Sequence, residues 1–222
     1  MSINKEIRNA WKLGCKIPYK LQGVTYDDCS DVHKNSLAIS SHWVDLFLKK
    51  EIVRCTAPTS GKGLLLTGAP GRGKTTLMCG ILDRLIYSAP ERAFGPNKPL
   101  VIRRPARFMT WNQYVDLKGA AMGDEDASVQ FDRITAQNEQ IGQWVRLLAL
   151  DDLGKEHQSG STWNPTLLHN LLRTRFNEGL PTIITTNVPS DMLESFYGEA
   201  TASFFREAFF TVPVLGKDLR IK

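Results

Sequence analysis

A glycine-rich stretch at residues 68–76 (GAPGRGKTT) has the residue types and the spacing that bind phosphate. It matches the pattern G-x-x-x-x-G-K-[ST] at every fixed position. Its glycines allow a tight turn that brings several backbone N–H groups onto one anion, and a helix beginning there adds its positive dipole end. The stretch is therefore predicted to be a phosphate-binding loop. The residues expected to contact a nucleotide are Gly68, Gly71, Arg72, Gly73, Lys74, Thr75 and Thr76.

Two side chains of this loop have distinct predicted roles. Lys74 is expected to reach the β and γ phosphates, and the hydroxyl of Thr75 is expected to help hold Mg²⁺. ATP and Mg²⁺ are therefore the predicted cofactors. The alternative, a glycine turn before a helix with no ligand, would require the whole motif to have arisen by chance.

A second candidate lies in residues 144–152 (WVRLLALDD), where an apolar run ends in two carboxylates. A buried parallel strand carries such residues to the carboxyl edge of a sheet, where ligands of α/β folds bind. Asp151 is expected to hold Mg²⁺, directly or through water, and Asp152 to act as general base toward the attacking water. A pair of acids that caps a helix is the alternative.

Two further residues are candidates for catalysis. Asn187 ends the apolar stretch 181–187 (PTIITTN), so a third strand would deliver it to the same edge, where it could bind the attacking water or the γ phosphate. Arg206 is the only arginine between Asn187 and Arg220. It is therefore the candidate for an arginine finger supplied to a neighbouring subunit. An ordinary arginine on a surface helix is an equal alternative.

These candidates need strands and helices in a fixed order to position them. The apolar run 63–67 (GLLLT) predicts a buried strand before the loop, and the apolar spacing within 75–88 predicts a helix after it. Further strands are predicted at 108–111, 144–152, 181–187 and 211–215. Helices are predicted within 32–53 and at 112–122, 124–142, 165–176 and 190–208. The sequence thus predicts an α/β P-loop NTPase fold, a parallel sheet of about five strands flanked by helices, with no separate lid domain.

Composition limits the class of protein. With 222 residues, 42% of them hydrophobic, the chain can bury one full core, which favours a single ATPase domain. The net charge of +5 favours an anionic partner such as nucleic acid, although an ordinary soluble surface is equally compatible with it. Neither a signal peptide nor an apolar run of about 18 residues is present, so a cytoplasmic protein with no membrane partner is expected. The four cysteines have no C-x-x-C spacing, so neither zinc nor a disulfide framework is indicated.

Three other segments allow two interpretations each. Apolar spacing in residues 1–13 predicts a short amphipathic helix that docks either on the domain or on a partner. The connection 89–107 is rich in proline and arginine, and Arg103, Arg104 and Arg107 could contact a phosphate backbone or form a solvated edge. Arg173 and Arg175 could compensate a helix dipole or contact a neighbouring subunit's nucleotide.

The phosphate loop, LALDDLGKE at 148–156 and PTIITTN together resemble the AAA+ ATPases of the DnaC/IstB type, which include helicase loaders and transposition helpers. The resemblance spans about residues 16–222. The segment 17–28, with Ile-Pro and Thr-Tyr-Asp-Asp, resembles the region ahead of the ATPase core in the loaders, and 212–220 (VPVLGKDLR) resembles their closing strand and G-x-D-x-R ending. Residues 1–15 are then expected to be a separate short helix that could bind a partner.

This resemblance implies an ATPase of the AAA+ (ASCE) class that binds a replicative DNA helicase and single-stranded DNA and self-associates. ATP binding and hydrolysis would switch assembly and release. One departure is that Ser203 precedes Phe204 and Phe205 where loaders usually have Ser-Arg-Leu, so the finger is either shifted to Arg206 or absent. Turnover is therefore expected either to be weak or to need a partner's arginine. The separate N-terminal domain that larger loaders use to grip the helicase is not expected here. The alternative function is a transposition helper that forms ATP-dependent filaments on duplex DNA, while a metabolite kinase is disfavoured because the paired acids suit attack by water.

Overall fold

A parallel sheet forms the centre of the molecule. The structure, a computed structural model, describes residues 9, 12–29, 34–88, 106–136, 145–154, 165–215 and 218. Its strands are β1 (Gly63–Thr67), β2 (Ala106–Thr110), β3 (Leu147–Leu153), β4 (Thr182–Thr186) and β5 (Phe209–Pro213). They lie in the order β2-β3-β4-β1-β5, and the neighbouring pairs are parallel. The predicted α/β fold with about five strands is confirmed.

Helices cover both faces of this sheet. The α-helices whose bounds lie in the described ranges are α1 (Lys34–Leu48), α2 (Lys74–Ser88), α3 (Trp111–Ala120), α4 (Glu125–Thr135), α5 (Pro165–Asn177), α6 (Leu193–Tyr197) and α7 (Glu199–Ala208). Residue 9 and residues 12–14 are also helical. Short 3₁₀ helices lie at Tyr19–Leu21, Asp27–Cys29 and Ser190–Met192. None of the helices in these ranges has both the length and the apolar character that crossing a membrane requires.

The core has two halves because successive strand residues point to opposite faces of a sheet. Leu64 and Leu66 of β1 pack in one apolar cluster with residues of α1 and α2. Leu65, between them, packs in the other cluster with residues of α5 and α7. All five residues of β1 are buried, as are all five of β4. Such burial on both faces explains why these strands read as continuous apolar or threonine-rich runs.

Some predicted boundaries were wrong. The helix predicted at 124–142 ends at Thr135, because Ala136 adopts the left-handed conformation (φ 60°) and its N–H bonds to Asp132 O in a C-terminal cap. Residues 106 and 107, predicted to be connection, begin β2. The closing strand starts two residues earlier than predicted, at Phe209. These endpoints depend on caps and strand partners that periodicity does not reveal.

The first described residues dock on the α/β domain itself. Lys12 is buried, forms an ion pair with the buried Asp83 of α2 and donates a hydrogen bond to Gln22 O (3.1 Å). The carbonyl of Cys15 accepts a hydrogen bond from Phe108 N of β2 (2.7 Å). Of the two interpretations of the N-terminal helix, docking on the domain therefore holds for residues 12–15. Most of residues 1–11 lie outside the described part, so the division at residue 15 stays a prediction.

The cysteines provide a test of this packing. Cys15, Cys29 and Cys79 are buried and Cys55 is half-buried. Burial raises the pKa of Cys29 to about 11 and that of Cys79 to about 12. Because the thiolate is the reactive form, a disulfide reagent at pH 8 should modify Cys55 rapidly and the other thiols only after unfolding. Cys55→Ser should abolish the rapid phase, and rapid modification of a second thiol would contradict the packing.

Candidate nucleotide-binding site

The glycine-rich loop joins the end of β1 to the start of α2. Gly71 and Gly73 have φ values of 79° and 84°, a left-handed backbone that glycine adopts without strain. The first turn of α2 forms directly on the loop, since Leu77 N donates to Gly73 O (2.8 Å). This first turn contains no acidic residue. The positive end of the helix is therefore available to an anion, as the motif predicted.

Lys74 lies across this loop. Its side chain is buried (7% exposed), and its ammonium group donates to the carbonyl oxygens of Gly68 (2.6 Å) and Ala69 (2.8 Å). A cation is thus held against the backbone that would surround a phosphate. Arg72 and Thr76 are half-buried in the same loop and helix start.

The structure brings the loop and the predicted acidic strand into direct contact. The hydroxyl of Thr75 lies 3.0 Å from Asp151 Oδ1 and 3.3 Å from Oδ2. Asp151 is itself buried (5% exposed) near the carboxyl end of β3. The two residues assigned to Mg²⁺ from sequence are therefore neighbours in space, although 76 positions separate them in the chain.

The two acids differ in conformation because β3 contains a bulge. Leu150 pairs with Ile184 and Leu153 pairs with Thr186, so Asp151 and Asp152 together lie opposite the single residue Thr185. Asp152 has a φ of 60°, a left-handed conformation that is uncommon for any residue other than glycine. A bulge re-aims side chains. The two side chains therefore differ in exposure, since Asp151 is buried and Asp152 is half-buried.

Asn187 follows β4 at the same edge of the sheet and is half-buried. The preceding residue, Thr186, fixes this end of the strand: its hydroxyl donates to Leu153 O (2.9 Å) and accepts from Val188 N (3.1 Å). The end of β4 is thereby tied to the end of β3.

Arg206 is not part of this group of side chains. It is exposed in the last turn of α7. Phe204 and Phe205, which replace the arginine and leucine expected from the loaders, are buried in the core (3% and 1% exposed). The aromatic residues therefore have a packing role, and a catalytic role for Arg206 stays a prediction about a neighbouring subunit.

Two residues that contact the site were not singled out from the sequence. The carboxylate of Asp218 packs against Gly71, since a Cβ atom at that position would lie 2.0 Å from Asp218 Oδ1. Thr185 donates a hydrogen bond to Asp151. The sequence held a signal for each of them. Asp218 is the aspartate of the G-x-D-x-R ending, and Thr185 is a polar residue within an otherwise apolar strand.

Arg175 lies in the last turn of α5 but is enclosed within the chain, so it cannot contact a neighbouring subunit's nucleotide. It is fully buried and donates to the Thr182 hydroxyl and to carbonyl oxygens of Ile134, Val145, Arg146 and Pro181. These acceptors lie around the starts of β3 and β4, at the edge of the sheet opposite the site. Arg173 is exposed beside Glu207 (3.4 Å). Arg103 and Arg104 of the basic cluster lie outside the described residues, and Arg107 is half-buried in β2.

The residues present fit Mg²⁺ and a nucleoside triphosphate. A hydroxyl and a carboxylate, the contacting pair Thr75 and Asp151, are the hard oxygen ligands that Mg²⁺ prefers. A glycine loop at a helix start, with a lysine across it, is suited to a polyphosphate. Fold and site together have the architecture of a P-loop fold, a parallel sheet with the phosphate loop directly after β1.

Solved structures share this fold. The structure of DnaI matches 92% of this chain and 94% of its own length, with 18% identity and a TM-score of 0.61. The DnaC helicase loader matches 89% of this chain and 99% of its own length, with 23% identity and a TM-score of 0.59. The structure of AMPPCP-bound DnaA from Aquifex aeolicus matches 89% of this chain and 52% of its own length, with 14% identity and a TM-score of 0.54. No protein-family model and no curated protein sequence matches the chain. The predicted resemblance to DnaC-type AAA+ domains is confirmed at the level of the fold.

Proposed function

We propose that this protein is an ATP-dependent helicase loader, which binds a replicative DNA helicase and delivers it to single-stranded DNA. The observation that carries the ATPase part is the contact between Thr75 of the phosphate loop and Asp151 of the acidic strand. The fold likeness to the DnaC helicase loader, over nearly the full length of both chains, supports the loader part.

The proposed chemistry is hydrolysis of ATP. The loop N–H groups, Lys74 and the neighbouring Arg72 and Thr76 would hold the phosphates, and Thr75 with Asp151 would hold Mg²⁺. When bound, Mg²⁺ supplies positive charge that offsets the charge developing on the phosphates.

Catalysis itself is assigned to residues beside the metal ligands. Asp152 would accept a proton from the water that attacks the γ phosphorus, as the bond to the ADP oxygen breaks. Asn187 would orient that water. Arg206 is the proposed finger toward a neighbouring subunit, which requires self-association.

Loss of the γ phosphate would then act as the release switch. The loop contacts the γ phosphate only before hydrolysis. A partner interface that depends on these contacts would therefore weaken once the phosphate is lost. ATP would in this way set both the assembly state and the affinity for DNA. The net charge of +5 is compatible with the nucleic-acid partner.

The proposal is tested by light scattering coupled to size-exclusion chromatography, with ATP and Mg²⁺. The protein is mixed with the replicative helicase of its own source, and separately with single-stranded and duplex DNA. We expect a complex with the helicase and a preference for single strands. Lys74→Ala removes the phosphate-binding cation and should therefore not bind ATP. Its binding to the helicase and to DNA should no longer depend on ATP.

The opposite pattern identifies the rival function. ATP-dependent polymers on duplex DNA, with no helicase complex, would contradict the loader proposal and indicate a transposition helper. A wild-type chain that does not bind ATP would contradict the nucleotide site itself.

A further inference from the structure

We propose that Thr185 is the positioning residue for both acids of the site, a role that rests on the proposed ATPase function. Thr185 lies in β4 and is fully buried (1% exposed). Its hydroxyl donates to Asp151 Oδ1 (2.6 Å) and accepts from Asp152 N (2.9 Å). One side chain on the neighbouring strand is thus bonded to both consecutive acids.

The bulge in β3 explains why this hydroxyl is needed. Two residues, Asp151 and Asp152, lie opposite Thr185 alone, so the backbone ladder between β3 and β4 is interrupted there. A buried N–H without a partner destabilises the fold. The hydroxyl of Thr185 supplies an acceptor for Asp152 N at this interruption.

The same hydroxyl fixes the carboxylate of Asp151. Oδ1 of Asp151 lies within hydrogen-bond distance of two hydroxyls, Thr185 on one strand and Thr75 on the phosphate loop. A hydroxyl has one proton to donate and lone pairs to accept with, so Thr185 can make both of its bonds at once. It thereby orients the proposed Mg²⁺ ligand and holds the backbone conformation that aims the proposed general base.

The test replaces Thr185 by valine, which has nearly the same shape but no hydroxyl, and by serine, which keeps it. Loss of such a supporting bond typically costs about 10- to 100-fold in metal affinity or activity. We expect Thr185→Val to lower kcat and to raise the Mg²⁺ concentration at half-saturation by about that factor. ADP binding in EDTA should be unchanged, and Thr185→Ser should restore both kcat and the Mg²⁺ dependence.

Thr182→Val is the matched control. Thr182 is a buried threonine of the same strand, and its hydroxyl is bonded to Arg175 Nε (3.1 Å) at the opposite edge of the sheet. The Thr182→Val variant should be less stable than the wild type, but its kcat should depend on the Mg²⁺ concentration as in the wild type. Amide exchange at Asp152, measured by NMR without nucleotide, should accelerate in Thr185→Val and stay slow in Thr185→Ser and Thr182→Val.

The outcomes separate this inference from the proposed function. An active wild type, with Thr185→Val equal to it in kcat, Mg²⁺ dependence and Asp152 exchange, would overturn the positioning role alone. A wild type that neither binds nor hydrolyses ATP would contradict the proposed function, while Asp152 exchange in the variants still decides whether Thr185 holds the bulge.

Discussion

Asp152→Asn is expected to bind ATP as tightly as the wild type and to hydrolyse it about 10²- to 10⁴-fold more slowly, the usual contribution of a general base. Asparagine has nearly the same size, and its carbonyl oxygen can still accept a hydrogen bond from water. It cannot take up a proton. Because the backbone N–H of residue 152 makes the bond to Thr185, the substitution leaves the bulge intact.

Two further variants serve as controls for this measurement. Lys74→Ala should lose ATP binding as well as hydrolysis, because Lys74 provides the cation of the loop. Asp116→Asn changes an exposed acid of α3 and should leave both properties unchanged. Binding is followed with a fluorescent ATP analogue, and hydrolysis by phosphate release, at the same protein concentration for every variant. Wild-type turnover in Asp152→Asn would remove Asp152 from the base role.

The sequence was sufficient for the parts of the site that depend on local pattern. The phosphate loop is a contiguous motif, and its glycines, Lys74 and Thr75 lie between a strand and a helix as expected. Asp151 lies beside Thr75 because an apolar run that ends in acids carries them to the carboxyl edge of a parallel sheet. The strand order itself depends on contacts between distant segments, and the sequence did not reveal it.

The features that the sequence did not reveal arise between strands. The left-handed conformation of Asp152 follows from two residues of β3 facing one of β4, which is a property of the register and not of either strand. The role of Thr185 exists only through that register. Helix periodicity placed Arg175 near the end of α5, but its acceptors come from three other parts of the chain.

Arg175 is expected to be among the residues most important for stability. Burial lowers its pKa to about 9, so the guanidinium remains charged at neutral pH. It forms no ion pair within the described ranges, and its charge is instead solvated by one hydroxyl and four carbonyl oxygens. The planar guanidinium carries five N–H donors in a fixed fork, against three on the ammonium of a lysine, so it can bond more acceptors at once.

Arg175→Met should therefore lower the free energy of unfolding by about 3–5 kcal/mol. Each buried acceptor left without a donor costs about 1–3 kcal/mol, and removing a buried charge offsets part of the sum. Urea titrations followed by circular dichroism measure the change. The matched control is Arg173→Met on the same helix, whose exposed contact with Glu207 (3.4 Å) should contribute less than about 1 kcal/mol. Equal stability of the two variants would show that the desolvation cost of Arg175 cancels its hydrogen bonds, and that methionine packs equally well between the starts of β3 and β4.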